Sequence, residues 1–265
     1  MEKDHFTLWQ EHKELAQKMN PLKGKLFDPI GPAIDKKTKR FLRFKSLFWI
    51  LRQDYKEHLL ITRKIFKKPF TYCLPYISSF IKNRPYKRRG DTFFFNVDSE
   101  KEFLEKVKQK KSVLFVGFSY CEKPFECPSN RFSTECAYDI ESPICKQCHL
   151  AKVQHFLGKK AIFLPITTSH ELGKRLFTIK EKFPKKELLF LISTCELAIE
   201  MFSHFGNMLQ MKGIAIKLHG RTCRTMESFE IAERGIKPGK TFLSKEGDEQ
   251  YDQLLRSLTT RKVSL

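Results

Sequence analysis

At 265 residues, with 41% hydrophobic side chains and 25 phenylalanines, the chain is long and apolar enough to bury a sizeable core, which excludes a disordered protein. Its formal net charge is +20, and residues 1–90 hold 22 Lys and Arg against 8 Asp and Glu, or +14 of that total. Such a field attracts polyanions, whether nucleic acid, anionic lipid or an acidic partner, and charge alone does not choose among them.

The first residues, MEKDHFTLWQEHKELAQK, are charged and lack the apolar stretch of a signal peptide. They point to a cytoplasmic chain, where clustered cysteines bind metals or do redox chemistry more often than they form structural disulfides. Residues 1–20 read as a helix, followed by a loop punctuated by Pro21, Gly24, Pro29, Gly31 and Pro32. Lys36 to Phe66 reads as one long helix, because Phe41, Phe44, Phe48, Leu51, Tyr55 and Leu59 recur at three- and four-residue steps. Its other positions are rich in Lys and Arg, so it suits a place peripheral to a membrane or packing against a neighbouring domain. Phe70 to Ile81 is too short to span a bilayer and contains Pro75, so no transmembrane segment is expected. The basic connection NRPYKRRG closes a helical extension, residues 1–90.

From Asp91 to the end, apolar runs alternate with amphipathic ones. Strands are expected at Thr92–Val97, Ser112–Phe118, Ala161–Ile166, Leu188–Ile192 and Gly213–Leu218. Helices are expected at Ser99–Gln109, Ile144–Leu157, His170–Lys182, Glu196–Leu209 and Asp248–Leu258. Continuously apolar strands separated by helices imply an α/β domain, residues 91–265, built on a mostly parallel sheet with helices on both faces.

Seven of the eight cysteines fall in this domain. Cys121, Cys127, Cys136, Cys145 and Cys148 share one polar stretch; Cys195 and Cys223 each follow an apolar strand. Ligands in parallel α/β sheets bind beyond the carboxyl ends of the strands, so all seven sulfurs can converge there. Cys145-x-x-Cys148 lets two thiolates reach one metal, as in zinc and iron–sulfur sites. With His149 it also spells the haem-attachment signature, which needs an export route and leaves the other cysteines unexplained. Cys73, alone in an apolar stretch, reads as a packing residue. Thr167 to His170, His219-Gly220-Arg221 and Glu196 are lesser candidates for anion binding or proton transfer, against simpler roles as helix caps, turns and first-turn acids. No nucleotide-binding, zinc-protease or serine-hydrolase motif occurs, so no reaction is specified.

The strings YCEKPFECPSNRF, CKQC, STCE and GIAIKLHGRTCRT together resemble the family known as domain of unknown function 116, archaeal and bacterial proteins marked by seven conserved cysteines. The resemblance covers roughly residues 110–235 and implies that Cys121, Cys127, Cys136, Cys145, Cys148, Cys195 and Cys223 act together; it also implies membrane association, for which only the basic helix is suited. The expectation is an iron–sulfur cluster serving redox chemistry or electron transfer to a redox partner. The alternative is a zinc-stabilised protein whose residues 36–90 bind nucleic acid or an anionic membrane surface. A thiol–disulfide enzyme is a further option.

Overall fold

The computed structural model describes residues 34–82, 85–136, 138–139, 141–146 and 148–259; the helix expected over residues 1–20 lies outside them. Four helices come first: α1 (Lys36–Lys39), α2 (Leu42–Lys56), α3 (Leu60–Lys67) and α4 (Pro69–Lys82). The single helix expected from Lys36 to Phe66 is therefore broken twice, where Phe41 and then His58 and Leu59 take left-handed backbone conformations. The second break has a chemical cause. The buried Asp54 carboxylate accepts from the Ile61 and Thr62 amides at 2.9 and 2.7 Å and from the Thr62 hydroxyl at 2.6 Å. It thus caps the otherwise unsatisfied amides of α3 and rewards the turn over a continuous helix.

The sheet contains β1 (Lys87–Arg89), β2 (Thr92–Phe95), β3 (Ser112–Ser119), β4 (Ile162–Ile166), β5 (Glu187–Thr194) and β6 (Lys212–Gly220), in the order β1-β2-β6-β5-β3-β4, with β7 (Thr241–Leu243) paired to β6. Strands β4, β3, β5 and β6 are parallel, and β1, β2 and β7 add antiparallel pairs. A two-residue hairpin, with Gly90 at φ 56°, joins β1 to β2, so the first strand arises inside the basic connection assigned to the extension. The remaining helices are α5 (Glu100–Val107), α6 (Pro143–Lys146), α7 (His149–Leu157), α8 (Ser169–Lys182), α9 (Glu196–Met208), α10 (Met226–Ala232) and α11 (Lys245–Thr259). The helix expected from Ile144 to Leu157 is thus two, because Cys148 turns to extended backbone as the N-cap of α7.

Side chains alternate across the strands and feed two cores. Leu114, Val116 and Phe118 pack with α5, α7 and α11. Val113 and Phe115 point the other way, toward α8, α9 and Ile61 and Tyr72 of the extension. Leu42 and Trp49 join Leu197, Met201 and Phe229 in a third cluster. Polar ties fix the same contact: His170 Nε2 lies 3.1 Å from Asp54 Oδ1, and Ser79 Oγ lies 2.9 Å from His204 Nδ1.

This topology creates one crevice. The connection after β3 runs through α7 on one face to β4, while that after β5 runs through α9 on the other face to β6. Adjacent strands β3 and β5 therefore diverge at their carboxyl ends, the switch point where open α/β sheets bind ligands. No helix among the described residues is long and apolar enough to cross a membrane.

Candidate metal centre

The sequence-predicted cysteines occupy that carboxyl edge in two groups. Cys121 lies in the 3-10 turn directly after β3, Cys195 is the N-cap of α9 directly after β5, and Cys223 lies between β6 and α10. Burial pushes the Cys195 thiol up to about 12, and the neighbouring Cys223 and Cys121 push it the same way. Lys237 donates from Nζ to Cys223 Sγ at 2.9 Å, and the Cys223 thiol donates to the Ser228 carbonyl at 3.5 Å. Burial would lower the Lys237 ammonium, but the three nearby sulfurs outweigh it and hold it above its ordinary value.

Cys127, Cys136, Cys145 and Cys148 form the second group, in and after the loop that leaves β3. Burial raises the Cys136 thiol, with Cys127 and Cys145 adding to the effect and Lys123 opposing it. Burial also pushes Cys148 up to about 11, and Cys136 contributes. The seven sulfurs thus divide into three at strand ends and four in the loop. Cys73 lies on α4, outside both groups. Among the described residues, no three His, Cys, Asp or Glu side chains are arranged to hold a metal ion.

Buried cations build the walls of the site. Lys123, wholly buried, donates to the carbonyls of Asn130, Ser133 and Glu135 at 3.3, 2.9 and 2.7 Å, which folds the four-cysteine loop around its ammonium. Arg131 donates to the carbonyls of Lys123, Cys121, Lys237 and Gly239 at 3.1, 3.2, 2.6 and 2.6 Å. Its guanidinium also lies 4.0 Å from the Phe125 ring centre, so one side chain joins the loop to the segment before β7. Arg221 crosses Gly239 so closely that a Cβ there would fall 2.0 Å from its Cγ, which only glycine allows. Lys240 is buried beside Cys148 and Glu122. Glu122 lies in the crevice, accepting from Ser193 Oγ of β5 at 2.6 Å and from the Ser119 amide at 3.1 Å. Burial raises its carboxyl to about 8 despite those bonds.

The lesser candidates take structural roles. Thr168 caps α8 by accepting from the Glu171 amide, and the buried His170 pairs with Asp54. His219 Nε2 lies 2.6 Å from Asp91 Oδ2, which also accepts from Ser244. Glu196 is held by Lys217 and Arg88 at 2.9 and 2.8 Å; burial raises its carboxyl, but the two cations bring it below its ordinary value. This is the setting of an ion-paired acid rather than a base. His149 is buried against the rings of Tyr251 and Phe118, 4.7 and 5.6 Å away.

Sequence reasoning missed Glu122, Lys123, Arg131, Lys237 and Lys240, all buried at this edge. A signal existed for the last two: Lys237-Pro-Gly-Lys240 is a turn that runs straight into the apolar triplet Thr241-Phe242-Leu243. The chain matches no family model, no curated protein and no solved structure.

Proposed function

We propose that this is a metal-binding protein that holds an iron–sulfur cluster through cysteines at the carboxyl edge of its sheet and serves redox chemistry or electron transfer. One observation carries the reading: Lys123, Arg131, Lys237 and Lys240 are buried beside the sulfurs, with the buried Glu122 carboxyl near Lys240. Buried charge is costly unless compensated; carbonyls take much of it at Lys123 and Arg131 and carboxylates act on Lys240, and the Lys237–Cys223 contact is one where sulfur meets the same need for negative charge. Thiolates bound to iron supply it, and hydrogen bonds and charge around the sulfurs are the features that tune such a cluster. On this reading Cys127, Cys136, Cys145 and Cys148 would have to draw together to supply four thiolates, because no three described His, Cys, Asp or Glu side chains are arranged to hold a metal ion; Cys121, Cys195 and Cys223 number three. The raised thiols mean that loading releases protons, and that the unloaded site avoids repulsion between thiolates. The seven-cysteine family resemblance points to the same residues. Zinc is the competing metal for the same donors.

The test is anaerobic purification with a visible spectrum and analysis of iron, sulfide and zinc. Broad visible absorption that bleaches on reduction, with matching iron and sulfide, is the expected result. Stoichiometric zinc without colour would sink the cluster and leave the zinc alternative.

A second reading has its own support. Eleven large apolar side chains between Phe41 and Ile81 are exposed, including Phe48 at 70%, Tyr55 at 76%, Phe70 at 80% and Ile81 at 76%. Phe44 and Phe80, ring centres 5.9 Å apart, join the α2 and α4 surfaces. Residues 34–82 hold 13 Lys and Arg against 3 acidic residues. Exposed apolar surface among cations suits the headgroup region of an anionic membrane better than nucleic acid, which has no use for aliphatic side chains such as Leu74 and Ile77. We infer peripheral binding to anionic lipid. Flotation with anionic and neutral vesicles should give anionic-dependent binding; salt-sensitive RNA or DNA binding without flotation would overturn it.

A further inference from the structure

Between the sheet and helices α8 and α9 lies a cavity of about 190 Å³. Its walls are almost wholly apolar, with Phe115 and Ile192 on the sheet side, Leu176 and Ile199 on the helices, and Ile50 and Ile61 of the extension closing it above. One end is chemically different. There the lining includes Cys121, Cys195, Cys223, Lys237, Thr194 and Thr222, and also Glu233, whose carboxylate is held by the Ser169 amide and hydroxyl. An apolar cavity of about 150 Å³ suffices for a benzene-sized guest, so this one has room for a small molecule. A concave apolar site with a few convergent polar groups is the ordinary form of a ligand pocket.

The geometry points to a binding site for a small carboxylic acid with an apolar tail, its tail along the α8–α9 channel and its carboxylate at the Lys237 end among the three thiols. Every apolar wall residue favours a hydrocarbon body over a polar one. At the polar end, an ammonium and two hydroxyls are hydrogen-bond donors matched to an anionic acceptor. The three thiols add weaker S–H donors at the same end. The inference rests on the metal-centre reading for its chemistry, but binding rests on the cavity alone, so the two can fail separately. It makes the three-cysteine group a substrate site and leaves the four-cysteine group as the separate thiolate set.

Calorimetric titration of the full chain, purified anaerobically, with octanoate and 1-octanol tests it. Octanoate should bind at one site and 1-octanol at least about tenfold more weakly, the factor expected from losing a charge-assisted hydrogen bond. Ala198→Phe, which fills the channel from α9, should weaken octanoate at least about tenfold while leaving iron and zinc content and far-ultraviolet circular dichroism unchanged. Because that variant can fail to fold, a second readout uses the wild type. In metal-free protein, octanoate should slow alkylation of Cys195 and not of Cys136, mapped by mass spectrometry. No octanoate binding, equal binding of the alcohol, or no protection of Cys195 would overturn the proposal. Octanoate binding by a protein that carries neither iron nor zinc would support the cavity site while removing the metal reading.

Discussion

At the carboxyl edge of the sheet, Lys123, Arg131, Arg221, Lys237 and Lys240 are buried, whereas along residues 41–81 eleven large apolar side chains stand exposed. The two regions invert the usual division of polar outside and apolar inside, in opposite directions. The edge hides charge, which argues for a negative group held within it. The extension shows hydrocarbon, which argues for an apolar surface outside it. The difference teaches that, on the proposed function, the two regions would meet different partners: one a small, soft, anionic group enclosed by the fold, the other an extended surface that covers it.

The largest expected effect breaks the first half of this comparison. Arg131→Met leaves four buried carbonyls without their donor and should cost about 3–5 kcal/mol, read from the urea midpoint, with loss of bound metal. A loss below about 1 kcal/mol would show that the buried cations do not organise the edge. A smaller effect tests how the two regions are joined. Burial would raise the Asp54 carboxyl, but its bonds to Thr62, Ile61 and His170 outweigh it and hold it below its ordinary value. A carboxyl lowered in the folded state contributes stability that is present above its unfolded pKa and lost as pH falls through the folded one. Wild type should therefore lose this contribution on acidification below about pH 4, whereas Asp54→Ala should already be less stable by roughly 2–4 kcal/mol at neutral pH and show less of that acid-side loss. Parallel acid-side profiles of the two proteins would remove Asp54 from the junction. The smallest stability effect sharpens the second half. Phe48→Ser with Tyr55→Ser should change the urea midpoint by no more than about 0.5 kcal/mol per site, since neither side chain is buried, yet reduce anionic-vesicle binding by about tenfold or more. Unchanged flotation would mean that this face does not meet the lipid.

The order of elements from Thr92 onward was legible because apolar runs and helical periods alternate cleanly. The placement of Cys121, Cys195 and Cys223 followed from strand ends alone. Their separation from Cys127, Cys136, Cys145 and Cys148 was not legible, because it depends on β3 lying beside β5, a neighbour relation that local pattern does not contain. The break at His58 and Leu59 was missed because the helical period continues across it; the cause is a carboxylate reaching seven residues ahead, from Asp54 to Ile61. Lys123, Arg131, Lys237 and Lys240 drew no reading of their own, since nothing in a single sequence distinguishes a cation that faces water from one that gathers backbone carbonyls. β7 was missed because three residues are too few to show a period.

The contact between Asp54 and His170 has a consequence for synthesis. Its partners are 116 residues apart, and those of the Ser79–His204 contact 125. At translation rates of about 5–20 residues per second, α2 to α4 therefore leave the ribosome roughly 6–25 seconds before the helices that cover their inner faces. During that interval both faces of the extension are bare, the inner one that later closes the cavity and the outer one that stays exposed. A nascent chain of this kind shows its apolar side chains to the surroundings before its own sheet exists to cover them.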